Sequence, residues 1–148
     1  MNSRESQKNE VNDEMIMNCI YVLRGQKVMI DADLATLYRM EVSRIRVLAE
    51  KNPNRFPGDF MFPLSLEDHD ALRRQESTLV RSTLNKDFPL AFTEQGLAML
   101  SGMFRSNRSI TVNIRIIRIF TLIRQVLPDF PELNRELLNF KNHLICHK

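Results

Sequence analysis

The feature that most constrains this chain is a change of hydrophobic period at residue 31. Residues 20–30, IYVLRGQKVMI, form two β-rich runs around Gly25-Gln26. The residues that follow, DADLATLY, place Leu34, Leu37 and Tyr38 at helical spacing. A strand pair that passes directly into an amphipathic helix makes the fold mixed. Glycine at the first central position suits a type II′ turn, so the strand pair reads as a β-hairpin. Asp31 then reads as the N-cap of the helix.

The same logic carries along the rest of the chain. After residues 39–42, Ser43 can cap a second helix whose buried stripe is Ile45, Leu48 and Ala49. Pro53 ends it, because the residue before a proline is pushed out of the helical region. Phe60-Met61-Phe62 is a short strand, and Pro63 marks an edge or strand end. Ser65 caps a charged helix to about Arg74, and residues 75–88 read as a polar loop or exposed arm. Leu90-Ala91-Phe92 is a further strand, ending at Thr93, which caps a helix bearing Leu97, Leu100 and Phe104. A longer helix starts at Asn107 with Ile116, Ile119, Phe120 and Ile123 as its core stripe, and Pro128 stops it. Beyond it, Phe130, Leu133, Leu137, Phe140 and Leu144 alternate at spacings of three and four, a candidate packing seam. The expected class is α+β: a short β-hairpin and small antiparallel sheet, a helix-turn-helix, and long C-terminal helices. Residues 1–15 read as a flexible leader, 16–127 as the folded domain, and 128–148 as a short helical tail.

Composition narrows the function classes. A chain of 148 residues with 43% apolar residues can bury the core of one ordinary domain. No run of eighteen uncharged apolar residues occurs, so no membrane span is expected. Two cysteines, Cys19 and Cys146, make no disulfide framework, which suits a reducing cytoplasm, and Cys19 reads as core. Four glycines, none in GxxxxGK or GxGxxG spacing, provide no nucleotide-cradling loop. His143, Cys146 and His147 fall short of a structural zinc set, and the acids of Glu67, Asp68, His69 and Asp70 suit the positive end of a capped helix. Glu94 suits the next helix start in the same way. No nucleophile, base and orienting group can be assembled. The expectation is a non-enzyme with no catalytic residues, no cofactor and no metal.

Charge is unevenly spread. Residues 1–15 hold four acids and two bases, residues 16–54 hold six bases and four acids, and residues 95–127 hold five arginines and no acid. Concentrated arginine is what a phosphate backbone requires, although an Arg-rich solvated helix face has the same composition. Residues 31–52, DADLATLYRMEVSRIRVLAEKN, give these charges a geometry. Two short helices around a tight turn form a helix-turn-helix, with Leu34, Ala35, Tyr38, Met40, Ile45 and Leu48 inside. Ser43, Arg44, Arg46, Val47, Glu50 and Lys51 then face outward, where they can reach base edges and phosphates. Arg39 stands where the turn usually holds glycine, so a looser turn is expected, and an ordinary helical hairpin is the bland alternative. Arg55 opens a rigid corner with Phe56 and Pro57, while Phe56, Phe60 and Phe62 read as core rather than base-stacking residues. Arg108, Thr111, Arg115 and Arg118 share one side of the long helix, suiting either phosphate contact or a solvated or subunit-facing stripe. The candidate DNA-contact set is Ser43, Arg44, Arg46, Val47, Lys51, Arg55, Arg115 and Arg118.

The runs IYVLRGQKVMIDADLATLY, NPNRFPGDFMFPL and LAFTEQGLAMLSGMFRSNRSITVNIRIIRIF, in that order from about residue 17 to 126, carry a resemblance. They resemble the N-terminal DNA-binding domain of phage antirepressor-type proteins, the KilA-N/Bro-N superfamily, and within it the "ORF-six-N" branch. The resemblance implies a small α+β domain that binds double-stranded DNA in phage or prophage regulation. Its members usually carry a further C-terminal region, where this chain is expected to have only a short tail. A homo-oligomer is expected, since one recognition helix buries little area. The alternative is an antirepressor-like module that binds a phage or host repressor protein rather than DNA.

Overall fold

The computed structural model describes residues 11–75 and 89–126. Helix α1 (Asp13–Asn18) precedes a hairpin of β1 (Tyr21–Leu23) and β2 (Gln26–Ile30), followed by α2 (Asp31–Tyr38) and α3 (Val42–Lys51). A 3-10 turn (Pro53–Arg55) leads to β3 (Met61–Pro63) and α4 (Leu66–Arg74). Strand β4 (Leu90–Thr93), α5 (Glu94–Ser101) and the long α6 (Asn107–Val126) complete an α+β fold. The strands form one antiparallel sheet in the order β1-β2-β4-β3. Pro63 closes an edge strand, where its missing N–H costs no ladder bond.

Alternation with period two divides the sheet between two cores. Val22, Met29 and Phe92 enter the larger one, with the buried residues of α1, α2, α3, α5 and α6. Tyr21, Leu23, Val28, Ile30, Phe62 and Ala91 face the other way, onto Leu64 and onto Leu72 of α4. Phe56 and Phe62 are buried, and Phe56 meets Phe92 edge-on at 5.8 Å, so these rings are core. The outer edge of β1 is closed by a side chain. Gln75 accepts from the Val22 N–H at 2.9 Å and donates to the Val22 carbonyl at 3.0 Å, standing in for a neighbouring strand.

Several local readings need correction. The hairpin turn is Arg24-Gly25, not Gly25-Gln26. Leu23 pairs with Gln26, and both turn residues have positive φ, 54° and 73°, the requirement of type I′ rather than II′. Arg24 is held in that conformation by Asp68, which it meets at 2.9 Å, and by the Phe62 ring 4.0 Å beneath its guanidinium. The same Asp68 forms a reciprocal capping box with Ser65 at the start of α4. Burial opposes its ionisation, but the bonds from Arg24 and Ser65 outweigh that and hold its carboxyl below the usual range.

The leader reading is also too long. Asn12 caps α1 and Val11, Ile16 and Met17 are buried, so the ordered packing begins inside residues 1–15. Apolar residues among acids concealed this short helix. Gln75 closes α4 and the β1 edge rather than opening a loop; residues 76–88 lie outside the described residues, as do the seam and tail expected over 128–148.

Thr93 caps α5 and donates from its hydroxyl to the Asp59 carbonyl at 2.7 Å. Gly96, in the first turn of that helix, lies against the backbone of Phe60. A Cβ there would stand 1.9 Å from the Phe60 carbonyl oxygen, so only glycine fits. Along α6, Val112, Ile116, Ile119, Phe120 and Ile123 are buried, the stripe that the 3.6-residue period predicts.

Candidate nucleic-acid interface

The α2–α3 connection is sharper than the sequence suggests. Arg39 takes the left-handed conformation, φ 57° and ψ 52°, in place of glycine. The Met40 N–H reaches the Ala35 carbonyl at 3.0 Å and the Arg39 N–H the Thr36 carbonyl at 3.3 Å, the paired bonds of a Schellman motif. Helix α3 starts after three residues, at Val42 with Glu41 as N-cap. Ser43 is therefore not the cap. It sits exposed in the first turn, because the Schellman bonds end α2 early enough for Val42 to enter the helix.

The inner face of α3 is settled by Ile45 and Ala49, both buried, with Leu48 half-buried against the same core. Arg46 is not an outward-projecting residue. Its Nε donates to Asp31 Oδ2 at 2.7 Å, and Asp31 is fully buried at the start of α2. Asp31 is not an N-cap either, since Ile30 holds that position. Its carboxylate accepts instead from the Ala32 N–H at 2.7 Å and from the Leu90 N–H of β4 at 3.1 Å. One buried acid thus ties α2, α3 and the sheet together. Two residues fifteen apart in sequence fall in no local period, so the pair is invisible to periodicity.

A second anchor joins α2 to α6. The Tyr38 hydroxyl donates to Asn113 Oδ1, and its ring packs 5.6 Å from Phe104. Burial pushes the Tyr38 phenol above its ordinary value, so it remains a donor.

What is left on the outside of α3 is a polar face with two exposed cations, Arg44 and Lys51, and one exposed acid, Glu50. Ser43, Arg44, Val47 and Lys51 are exposed, and Arg55 is exposed in the following turn. Ser43, Arg44, Val47, Leu48 and Lys51 line an open depression of about 360 Å³. Arg44 lies 5.9 Å over the Phe104 ring, which steers its guanidinium without covering it. Arg39, exposed at the turn, belongs to the same region, and sequence reasoning noted it only as a misfit. Its cation, after burial, contributes to lowering the pKa of Arg108 nearby.

The arginines of α6 are placed differently. Arg108 donates to the Leu37 carbonyl at 3.0 Å, serving the C-terminal end of α2. Arg115 is half-buried and meets Asp13 of α1 at 3.3 Å; Arg124 pairs with Glu94. Arg118 is exposed. The expected stripe therefore exists as a sequence pattern, while the structure divides its members between internal bonds and solvent. Among the described residues, no group of three His, Cys, Asp or Glu side chains could hold a metal ion, and no helix is long and apolar enough to cross a membrane. His143, Cys146 and His147 lie outside the described residues.

The model of the ORF6N domain matches residues 18–103, which runs from the end of α1 past α5 and includes the whole α2–α3 unit. The chain belongs to the ORF6N family. This is the branch of the KilA-N/Bro-N-like phage domains that its motifs resemble, a phage-type regulatory, antirepressor-like family. The ORF6N match ends within the α5–α6 connection, so α6 packs against the family domain from outside the matched span. No curated protein and no solved structure matches this ORF6N chain.

Proposed function

We propose that the ORF6N chain is a DNA-binding regulatory protein that catalyses no reaction, works in the cytoplasm, and reads the major groove with α3. In this reading α2, the Arg39 turn and α3 form a helix-turn-helix. The observation that carries it is the asymmetry of α3. Its inner face is fixed by Ile45, Ala49 and the buried Asp31–Arg46 pair, and its outer face offers Arg44 and Lys51 to solvent. A helix held so firmly on one side presents its other side in one orientation, which base reading needs. Arg55, Arg118 and Arg115 add phosphate contacts. Ser43 supplies a small hydroxyl at the helix start.

The test is salt dependence. Duplex affinity should fall linearly on a log–log scale, and Arg44→Ala should cut selective more than non-selective binding. Salt-independent retention, or none, contradicts the reading.

A second copy of the chain belongs to the proposal. On α6, Ile110, Ile114 and Ile117 are 45%, 46% and 38% exposed at helical spacings of four and three. An apolar strip of this kind suits a helix of a partner protomer, and two half-sites about 34 Å apart would double the DNA contacts. Light scattering at micromolar concentration should give a dimer or larger species, and a monomer would remove this part. The same strip favours the alternative of a repressor-binding, antirepressor-like module, which the salt experiment separates because a protein partner does not release a phosphate counterion atmosphere.

A further inference from the structure

Val47 is the residue of α3 that neither core nor charge explains. It is 44% exposed in the middle of the outer face, about one turn from the cations Arg44 and Lys51 and from the acid Glu50. The core beneath is complete without it, since Ile45 and Ala49 are fully packed and Leu48 covers their flank. As a β-branched residue it also restricts its own rotamers on a helix, so an exposed valine gains nothing locally. With Leu48 it supplies the apolar side chains lining the 360 Å³ depression, beside Ser43, Arg44 and Lys51. None of these five lining residues is acidic. Apolar carbon lined together with two cations complements a surface that is apolar at one point and anionic beside it. The major groove offers that where a thymine methyl projects between phosphate strands.

We propose that Val47 is a specificity-determining residue that reads thymine through its 5-methyl group, with Arg44 and Lys51 engaging the adjoining base edges or phosphates. The inference rests on the DNA-binding reading and deepens it. Ser43 and Leu48 set the width of the pocket around the methyl, and the fixed inner face of α3 sets its depth.

The experiment starts by selecting a duplex from a randomised library with the full chain. Each thymine of the selected site is then replaced singly by deoxyuridine, which deletes the methyl and leaves every hydrogen-bonding group in place. The wild-type chain should lose about fourfold in affinity at one position or its symmetry mate, the worth of one buried carbon. Val47→Ala should bind the thymine duplex about fourfold more weakly and be indifferent to deoxyuridine at that position, while unfolding at the wild-type denaturant midpoint. Wild-type indifference at every thymine, a selected site without thymine, or unchanged discrimination in Val47→Ala would each overturn the inference while leaving DNA binding standing. The wild-type scan is decisive even should the variant fail to fold. A library from which no duplex is enriched overturns the DNA-binding reading itself, and the depression would then be a protein-docking surface.

Discussion

The outer faces of α3 and α6 both carry arginines, yet the two helices employ them in opposite ways. On α3 the single committed arginine, Arg46, bonds inward to Asp31, and that commitment leaves Arg44 and Lys51 outside on a rigid support. On α6 the commitments are spread around the helix toward its neighbours: Arg108 to the Leu37 carbonyl of α2, Arg115 to Asp13 of α1, Arg124 to Glu94 of α5. Counting positive charge along the sequence ranks α6 first, because residues 95–127 contain no acid. Partners ranked by distance reverse the order, because the acids that occupy the α6 arginines come from α1 and α5. Charge density in sequence is therefore a poor guide to which cations are left for a ligand.

The largest effect should come from breaking the inward commitment of α3. Arg46→Ala leaves the Asp31 carboxylate buried with backbone donors alone, and removal of one member of such a pair costs about 3–5 kcal/mol. Urea unfolding should show this loss, and Asp31→Asn in the Arg46→Ala background should recover part of it because the uncompensated charge is gone. An unchanged unfolding midpoint for Arg46→Ala would mean the pair does not support α3.

Next in size is Arg44→Ala, which belongs to the uncommitted set. It should leave the urea midpoint near that of the parent and weaken binding to a selected duplex by about 1–3 kcal/mol, with relaxed preference at one base pair. Arg118→Ala should act more weakly and evenly, lowering affinity for all duplexes and reducing the salt slope by about one. Arg115→Ala should do less than Arg118→Ala, since Asp13 already holds its guanidinium. Fluorescence anisotropy across a salt series reads all three. Equal effects of Arg44 and Arg118 on sequence choice would erase the distinction drawn between the helices.

The smallest effect concerns Arg24, a committed cation on the far side of the sheet. The Asp68 carboxyl has its pKa held down in the folded state, so its contribution to stability is present at neutral pH and fades as pH falls through the carboxylate range. Urea midpoints measured from pH 7 to about pH 3 should therefore fall less steeply for Asp68→Asn than for the parent. A parallel acid limb in both proteins would remove Asp68 from the account.

Local chemistry was legible in the sequence wherever it was carried by period or by a cap. The hairpin, the Ser65 and Thr93 caps, the Ile45–Ala49 stripe and the core face of α6 all follow from spacing. Three things were not. The type I′ turn and the Arg39 left-handed residue depend on tertiary support that lets arginine occupy a glycine conformation. The burial of Asp31 and Arg46 joins residues on two helices and β4. The Glu41 N-cap, in place of the Ser43 cap expected from spacing, follows from where the Schellman bonds end α2. In the candidate site, residue types were readable but their division into supports and contacts was not, because that division is set by partners distant in the chain.

The account turns on α3 being the surface that meets duplex DNA. Amide chemical-shift mapping of the full chain, titrated with a selected duplex at about 0.1 M salt, tests this most directly, since screening over about 10 Å leaves close contacts dominant. The predicted result is that the largest shifts fall on Val42–Lys51 and continue to Arg39 and Arg55. Shifts centred on residues 108–118 of α6, with α3 silent, would contradict it.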